Sequence, residues 1–480
     1  MAGVFLWRHM EKEKLRYDTP VVVCLLLIAL LLTVPTGFED AVQYQEAERC
    51  IAEVLSVDDS SIVDTGLVRS GEQRCTVRFT NGTFMGQTAT AINLLQGSLE
   101  QDKLFAAGDK AQVVVSCDGD TILRVTMTDH YRIPGELLLA AIFVVFLVLF
   151  AGRTGVRAIL SFALTVLAIW KVLVPLYLKG YNPIWVGLAI NLLQGSLEQD
   201  KLYRAGDKAQ VVVSCDGDTI LRVTMTDHYR IPGELLLAAI FVAFLILFAG
   251  RTGVRAILSF ALTVLAIWKV LVPLYLKGYN PIWVGLSINL LLSTLVISLV
   301  YGFDKRCASA VSGSFLGILV TMVLGMIFTD LFKIHGAVMA YSESLLYAGF
   351  QNLNLTQIFM ASIFLGSSGA VMDLSVDITS AVHEVVEKKP EIKPWEAVKS
   401  GMNVGRAAMG TMTTTLLLAY SGGYIALLMV FMAQGTPVEH IFNYKYVSAE
   451  IIHTIVGSFG LVSVAPFTAL CAGFILSKKK

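Results

Sequence analysis

Ten apolar stretches run through this chain, and they leave few folds open to it: 21–34, 137–151, 158–177, 235–249, 256–275, 283–301, 308–328, 358–374, 409–434 and 451–476. A helix needs about 20 residues to cross the hydrocarbon core of a bilayer. In lipid only helices and closed barrels satisfy their own backbone polar groups. The short stretches 137–151 and 235–249 are predicted to start their spans at Pro134 and Pro232. Composition agrees: 55% of the 480 residues are hydrophobic and 15% are charged, where a soluble domain carries about 25% charge. The lipid bilayer is therefore the first partner. Net charge is zero, which leaves no basic footprint for nucleic acid. The seven cysteines show no metal-ligand spacing, and neither a Walker A, an HExxH nor a Rossmann fingerprint occurs, so no cofactor is expected. Cys50, Cys75, Cys117 and Cys215 fall in polar segments, where a disulfide needs an oxidising side.

The segment 37–133 is polar and strand-rich. Cys50–Val57, Cys75–Gly86, Ala111–Cys117 and Thr121–Met127 are β-branched runs bounded by turn residues, with Asn81-Gly82 as a hairpin signal. Five or so short strands predict a small OB-like barrel. Residues 91–188 then recur as 189–286, with differences only at Phe105/Tyr203, Ala106/Arg204, Val145/Ala243 and Val148/Ile246. The shared Ile-Asn-Leu-Leu at both seams suits an unequal crossover within an ancestor of about 382 residues (480 minus 98); an assembly artefact leaves the same seam. Tyr181–Leu193 is too short to cross a bilayer.

The fold class that follows is mostly α. We expect a polytopic helical membrane protein with about ten spans, eight in the unduplicated chain, and a small extracytoplasmic β-barrel-like domain. The expected divisions are 1–36 (N-terminus and signal-anchor), 37–133 (β-domain), 134–188 (first hairpin), 189–231 (partial β copy), 232–286 (second hairpin) and 287–480 (C-terminal core, with a cytosolic helix at 376–403). Basic clusters all fall on the side opposite the β-domain, so the positive-inside rule makes both termini cytosolic.

Chemistry concentrates in 366–415. Asp373 lies in the last turns of an apolar span, and Asp377 shares its helical face. An intramembrane carboxylate is costly and marks a functional site by default; one hydrated at the span's end is the plainer reading. A group whose charge depends on its solvation is what proton coupling requires. Asp373, Asp377 and Lys269 are therefore proton-relay candidates, although Lys269 and its copy Lys171 are also placed to snorkel to the outer interface. Gly369, Gly405, Arg406, Gly410, Thr411, Thr413, Thr414 and Thr415 are helix-packing or pathway candidates, since small and hydroxyl side chains bring helices together in lipid. Glu450 and His453 share a face as an outer-interface pair. His383, Glu384 and Glu387 read as a solvated helix face. Gly366-Ser367-Ser368-Gly369 with His453 admits a remote alternative, an intramembrane serine hydrolase, which needs Ser–His hydrogen-bond reach.

Gly369-Ala370-Val371-Met372-Asp373, Lys399-Ser400-Gly401-Met402-Asn403-Val404-Gly405-Arg406, Met409-Gly410-Thr411-Met412 and Gly457-Ser458-Phe459-Gly460-Leu461-Val462 with Pro466 resemble the YibE/F family of bacterial multi-pass membrane proteins. The resemblance implies the fold and a bacterial plasma-membrane location, and no established activity. A fainter resemblance links Gly369, Asp373, Glu384 or Glu387, Glu396-Ala397 and Thr413–Thr415 to resistance-nodulation-division permeases and SecD/SecF; it implies a proton-relay role for Asp373. Two expectations follow: a transporter or transport-associated protein, coupled to protons through Asp373, or a non-catalytic scaffold binding an envelope protein. A homo-oligomer is compatible with either.

Overall fold

The computed structural model describes residues 21–38, 48–66, 68–119, 121–180, 208–216 and 219–477. The predicted short segment Tyr181–Leu193 and the basic ends of the chain lie outside the described residues. Two compact units result, one formed by 1–192 with 268–480 and the other by 193–267.

In the first unit, helix α1 (Val21–Thr33) precedes five strands: β1 (Glu48–Asp64), β2 (Arg69–Phe79), β3 (Thr88–Gln96), β4 (Lys110–Asp118) and β5 (Thr121–His130). They close into a barrel in the order β1-β2-β3-β5-β4, with β1 also paired to β4. Pairing is antiparallel except between β3 and β5. Alternation decides what fills it: Ala52 and Val54, Val77 and Phe79, Val113 and Val115 point inward and are buried. The Asn81-Gly82 signal does join an antiparallel pair, through more than a two-residue turn. Asn81 Oδ1 accepts from Ile51 N–H at 2.6 Å, which ties the loop to β1, and Phe84 folds into the barrel core. Gly71 has φ +117, and a Cβ there would stand 2.2 Å from the Ser61 carbonyl oxygen, so the β1–β2 irregularity needs glycine. Cys50 and Cys75 are free thiols in this core.

The helices of this unit are α2 (Ile133–Ala151) and α3 (Arg153–Leu178), then, beyond the second unit, α5 (Pro281–Tyr301), α6 (Lys305–Leu331), α7 (Ser342–Tyr347), α8 (Leu355–Lys388), α9 (Pro394–Ala433), α10 (Val438–Asn443) and α11 (Lys445–Leu476). Helix α11 is the hub. Cβ atoms at Gly313 of α6 and Gly460 of α11 would come within 2.1 Å of Thr468 Oγ1 and 2.0 Å of Thr321 Oγ1, respectively. Only glycine allows that approach, which is how helices gain contact where lipid offers no hydrophobic drive. The first hairpin packs here too: Leu139, Phe143 and Leu147 join the core, and the Phe143 and Phe459 rings meet edge-on at 5.1 Å. Pro175 lacks an N–H and its ring crowds the carbonyl four residues back, so α3 widens to a π-turn at Ile169–Leu173.

The second unit holds strands β6 (Ala209–Asp216) and β7 (Thr219–His228), followed by α4 (Ile231–Leu276), whose last residues belong to the first unit. The β6–β7 register, Ala209↔His228 to Asp216↔Thr219, repeats that of β4–β5, from Ala111↔His130 to Asp118↔Thr121, including the bulges. Local sequence is therefore enough to set this hairpin. Gly250 breaks α4 with φ 51 and ψ −123. Eight helices among the described residues are long and apolar enough to cross a membrane. Counting the two arms of α4 separately and adding the shorter α1 gives ten apolar helical segments.

Candidate functional site

One face of α8 differs from the rest of the helical core. Ser362, Gly366, Gly369, Asp373 and Asp377 recur at spacings of four, three, four and four, which keeps them within an arc of about 80°. Gly366, Gly369, Asp373 and Asp377 are exposed, while the opposite face, with Phe364, Val371, Leu374 and Ile378, is completely buried. A Cβ at Gly369 would meet nothing within 4 Å. The face is thus an exposed polar stripe along a span. Tyr301, at the end of α5, donates to the Val376 carbonyl at 2.6 Å and lies 2.5 Å from Ser380 Oγ. Asp373 sits about one turn inside that level. Among the described residues it has no hydrogen bond or ion pair.

At the other end of the stripe is a second polar cluster. His453 Nε2 lies 3.4 Å from Ser362 Oγ, whose own proton goes to the Phe359 carbonyl at 2.7 Å, so the ring donates and its Nδ1 keeps a lone pair. The His453 ring is held edge-on by Phe359 at 5.0 Å and Tyr420 at 6.0 Å. The glycine pair at 422–423 turns α9 through a 3-10 step at Gly422–Tyr424, and the Tyr424 hydroxyl then reaches the Glu450 carboxylate. The other Glu450 oxygen, Oε1, and the Tyr420 hydroxyl are buried with no hydrogen-bond partner among the described residues. The His453–Ser362 contact and Asp373 are eleven residues apart along α8, or about 16 Å.

The remaining candidates fall elsewhere. Gly405 packs on Ala465 and Ile378 with room for a hydrogen only, and Gly410 does the same against Thr154. Thr411, Thr413 and Thr415 bond carbonyls of their own helix, and Thr414 Oγ1 is buried without a partner. Arg406 donates to the Phe150 carbonyl at 3.0 Å, fixing the first hairpin to α9. Lys269 is exposed and has no partner among the described residues. Its copy Lys171 donates to the Val34 carbonyl at 3.0 Å, just past α1, and meets no carboxylate among the described residues. His383 and Glu387 form an exposed pair at 3.9 Å, and Lys388 bonds Glu384 at 2.5 Å. Ser368 Oγ is spent on the Leu365 carbonyl at 2.7 Å and His453 meets Ser362 instead, so the Ser368–His453 dyad that a hydrolase needs is not assembled. Sequence reading missed Ser362, Tyr420 and Tyr424. The available signal was the i, i+4 tyrosine pair astride two glycines, which reads equally well as an interfacial aromatic belt.

A family model described as YibE/F-like protein matches residues 139–194 and 237–478, well over half the chain. The chain belongs to the YibE/F family. It is an integral, multi-pass membrane protein. The first matched segment and the start of the second hold the two copies of the hairpin, while the β parts of the repeat, 91–138 and 195–236, lie outside the matched residues. No curated protein and no solved structure matches the chain.

In this YibE/F member the barrel is joined to the helical core by buried polar contacts. Arg132 is 4% exposed. Its guanidinium pairs with Asp129 at 2.8 Å and donates to the Phe332 and Asn443 carbonyls at 2.7 and 3.0 Å. Asn443 Oδ1 accepts from Arg132 N–H at 2.6 Å, and its amide donates to Gln112 Oε1 and the His130 carbonyl. That use of Gln112 Oε1 turns Gln112 Nε2 toward His440 Nε2 at 3.1 Å, so the histidine nitrogen must accept. Burial, followed by Arg132, pushes His130 down to about 4, against a weaker pull upward from Asp129 and Asp109. Burial, followed by Arg49, does the same to His440. Both folded values lie below the unfolded value near 6.5. Stability from these neutral rings is complete above about pH 6.5 and is lost as pH falls toward 4. We therefore expect hydrogen-exchange protection in β4 and at 437–444, measured against the intrinsic rate at each pH, to fall between pH 7.5 and 5. In His440→Gln, which keeps an acceptor but cannot titrate, the fall should shrink; an unchanged profile would contradict the assignment to His440.

Proposed function

We propose that this YibE/F chain is a proton-coupled transporter or the proton-conducting subunit of one, with the polar stripe of α8 as its path. The observation that carries the reading is Asp373: a carboxylate without a partner among the described residues, exposed on a polar stripe that otherwise runs down the flank of an apolar span. Against lipid such a group would cost several kcal/mol, on the order of 3 on insertion scales, so water or a translocating group must reach it. The unsatisfied cluster of Glu450, His453 and Tyr420 at the barrel end supplies the second titratable station. Arg153, Arg157, Lys305, Arg306, Lys388 and Lys389 all lie toward the Asp373 end, which supports a cytosolic face there and an extracytoplasmic barrel, in a bacterial plasma membrane.

Proton flux in proteoliposomes under an imposed pH gradient, with voltage clamped by valinomycin and potassium, tests this. Native protein should conduct above the protein-free rate, and Asp373→Asn, equally inserted and folded, should fall to background. Equal flux from both would remove Asp373 from the path and favour the scaffold reading, in which the barrel binds an envelope partner.

A further inference from the structure

Between the barrel and the start of α11 lies a cavity of about 450 Å³, and beside it a second of about 510 Å³; Asp102, Lys103 and Lys445 line both. The size suits a small ligand. Five cations and three anions line the first cavity: Arg69, Lys103, Arg132, Lys333 and Lys445 against Asp64, Glu100 and Asp102. Three of the cations are already paired, Arg69 with Asp64, Arg132 with Asp129 and Lys333 with Asp109, which leaves Lys103 and Lys445. The anions are already engaged. Asp64 bonds Arg69, and Glu100 accepts from the Tyr446 hydroxyl. Asp102 accepts from the backbone N–H groups of Gln96, Gly97 and Ser98 at 2.8–2.9 Å.

Lys445 is different. It is 8% exposed, and among the described residues no hydrogen bond or ion pair reaches its Nζ; the Tyr446 ring lies 5.4 Å away at its centroid, and Asp129 and Glu100, both engaged elsewhere, act on it only at longer range. A buried ammonium normally has a counter-charge. His335 lines the same cavity. Its Nδ1 accepts from Ala337 N–H at 3.2 Å, which leaves the proton on Nε2 as a donor. Lys103 spends one proton on the Thr128 carbonyl at 2.6 Å and keeps two.

We propose that this junctional cavity binds a small oxyanion, a phosphate or carboxylate group, between the Lys445 ammonium and the His335 ring. The oxyanion arrives either free from solution or as a lipid headgroup, the cavity lying where the barrel meets the helical core. The site is independent of the α8 stripe and stands whether or not protons move there.

The test uses the full chain. Thermal unfolding in detergent is followed with about 20 mM inorganic phosphate and with potassium chloride at matched ionic strength. The same measurement is made in nanodiscs of phosphatidylcholine alone and with phosphatidylglycerol. A bound anion stabilises the folded state by mass action. A rise of a few degrees with phosphate, present in native protein and Lys445→Arg but lost in Lys445→Met and reduced in His335→Phe, is the expected result for a free ligand. The same residue dependence seen only with phosphatidylglycerol assigns a lipid headgroup. Equal shifts in native protein and Lys445→Met, or no shift from either source, overturn the proposal. Lys445→Met removes a largely buried charge that makes no hydrogen bond or ion pair among the described residues, so its unliganded form should melt no lower than native; His335→Phe provides the comparison independently.

Discussion

Glu450→Gln should lower proton flux through reconstituted protein by about tenfold or more, tenfold corresponding to about 1.4 kcal/mol of barrier. The substitution is nearly isosteric and keeps a polar group beside the Tyr424 hydroxyl. What it removes is the ability to carry a proton. Glu450 Oε1 is buried with no hydrogen-bond partner among the described residues, an arrangement that costs free energy and has no packing purpose evident in its surroundings. His453 stands a turn away on the same face of α11, with Nε2 toward Ser362 at the head of the stripe. If the stripe conducts, Glu450→Gln and Asp373→Asn block it at opposite ends, and the double variant should be no worse than either single one. A Glu450→Gln protein with native flux, correctly inserted, would confine the cluster to holding α9 against α11. His453→Phe separates the two roles further: it keeps ring packing against Phe359 and Tyr420 but loses the nitrogen.

The second large effect is expected at Arg132. Arg132→Met leaves the Asp129 carboxylate, 4% exposed, without its cation. Removing one member of a buried pair costs about 3–5 kcal/mol because the other charge is stranded. The Phe332 and Asn443 carbonyls also lose their donor. The measurable consequence is detachment of the barrel: protease cleavage near 130–133 and around 437–444 should appear at temperatures where native protein resists. Adding Asp129→Asn should restore part of the loss, since the stranded charge is gone. If the single and double variants are equally destabilised, the damage lies in the lost carbonyl contacts and the ion pair itself contributes little.

The apolar runs determined the helices, because in lipid a backbone can satisfy its polar groups only within its own helix or a closed barrel. That is why the spans could be read from the sequence, although α8 and α9 run well past the apolar stretches 358–374 and 409–434. The β-hairpin 111–130 was equally local, as its copy at 209–228 folds in the same register. Closure of the barrel was less legible, since β3 holds mixed residues such as Asn93 and Gln96 and earns its place through its neighbours. At the site, Asp373, Asp377, Glu450 and His453 were visible because charge in an apolar span is rare. Their grouping was not.

Sequence alone therefore determined that this chain lives in a bilayer, where it crosses, and which residues are too polar for their surroundings. Only the tertiary structure decided which of those residues meet. Helical periodicity assigns a face to each side chain but not the neighbour that the face will find. Here the glycine contacts of α6, α9 and α11 fixed those neighbours. They brought Ser362 to His453 and Tyr424 to Glu450, left Asp373 open on a polar stripe, and left Lys445 buried without a hydrogen bond or ion pair among the described residues.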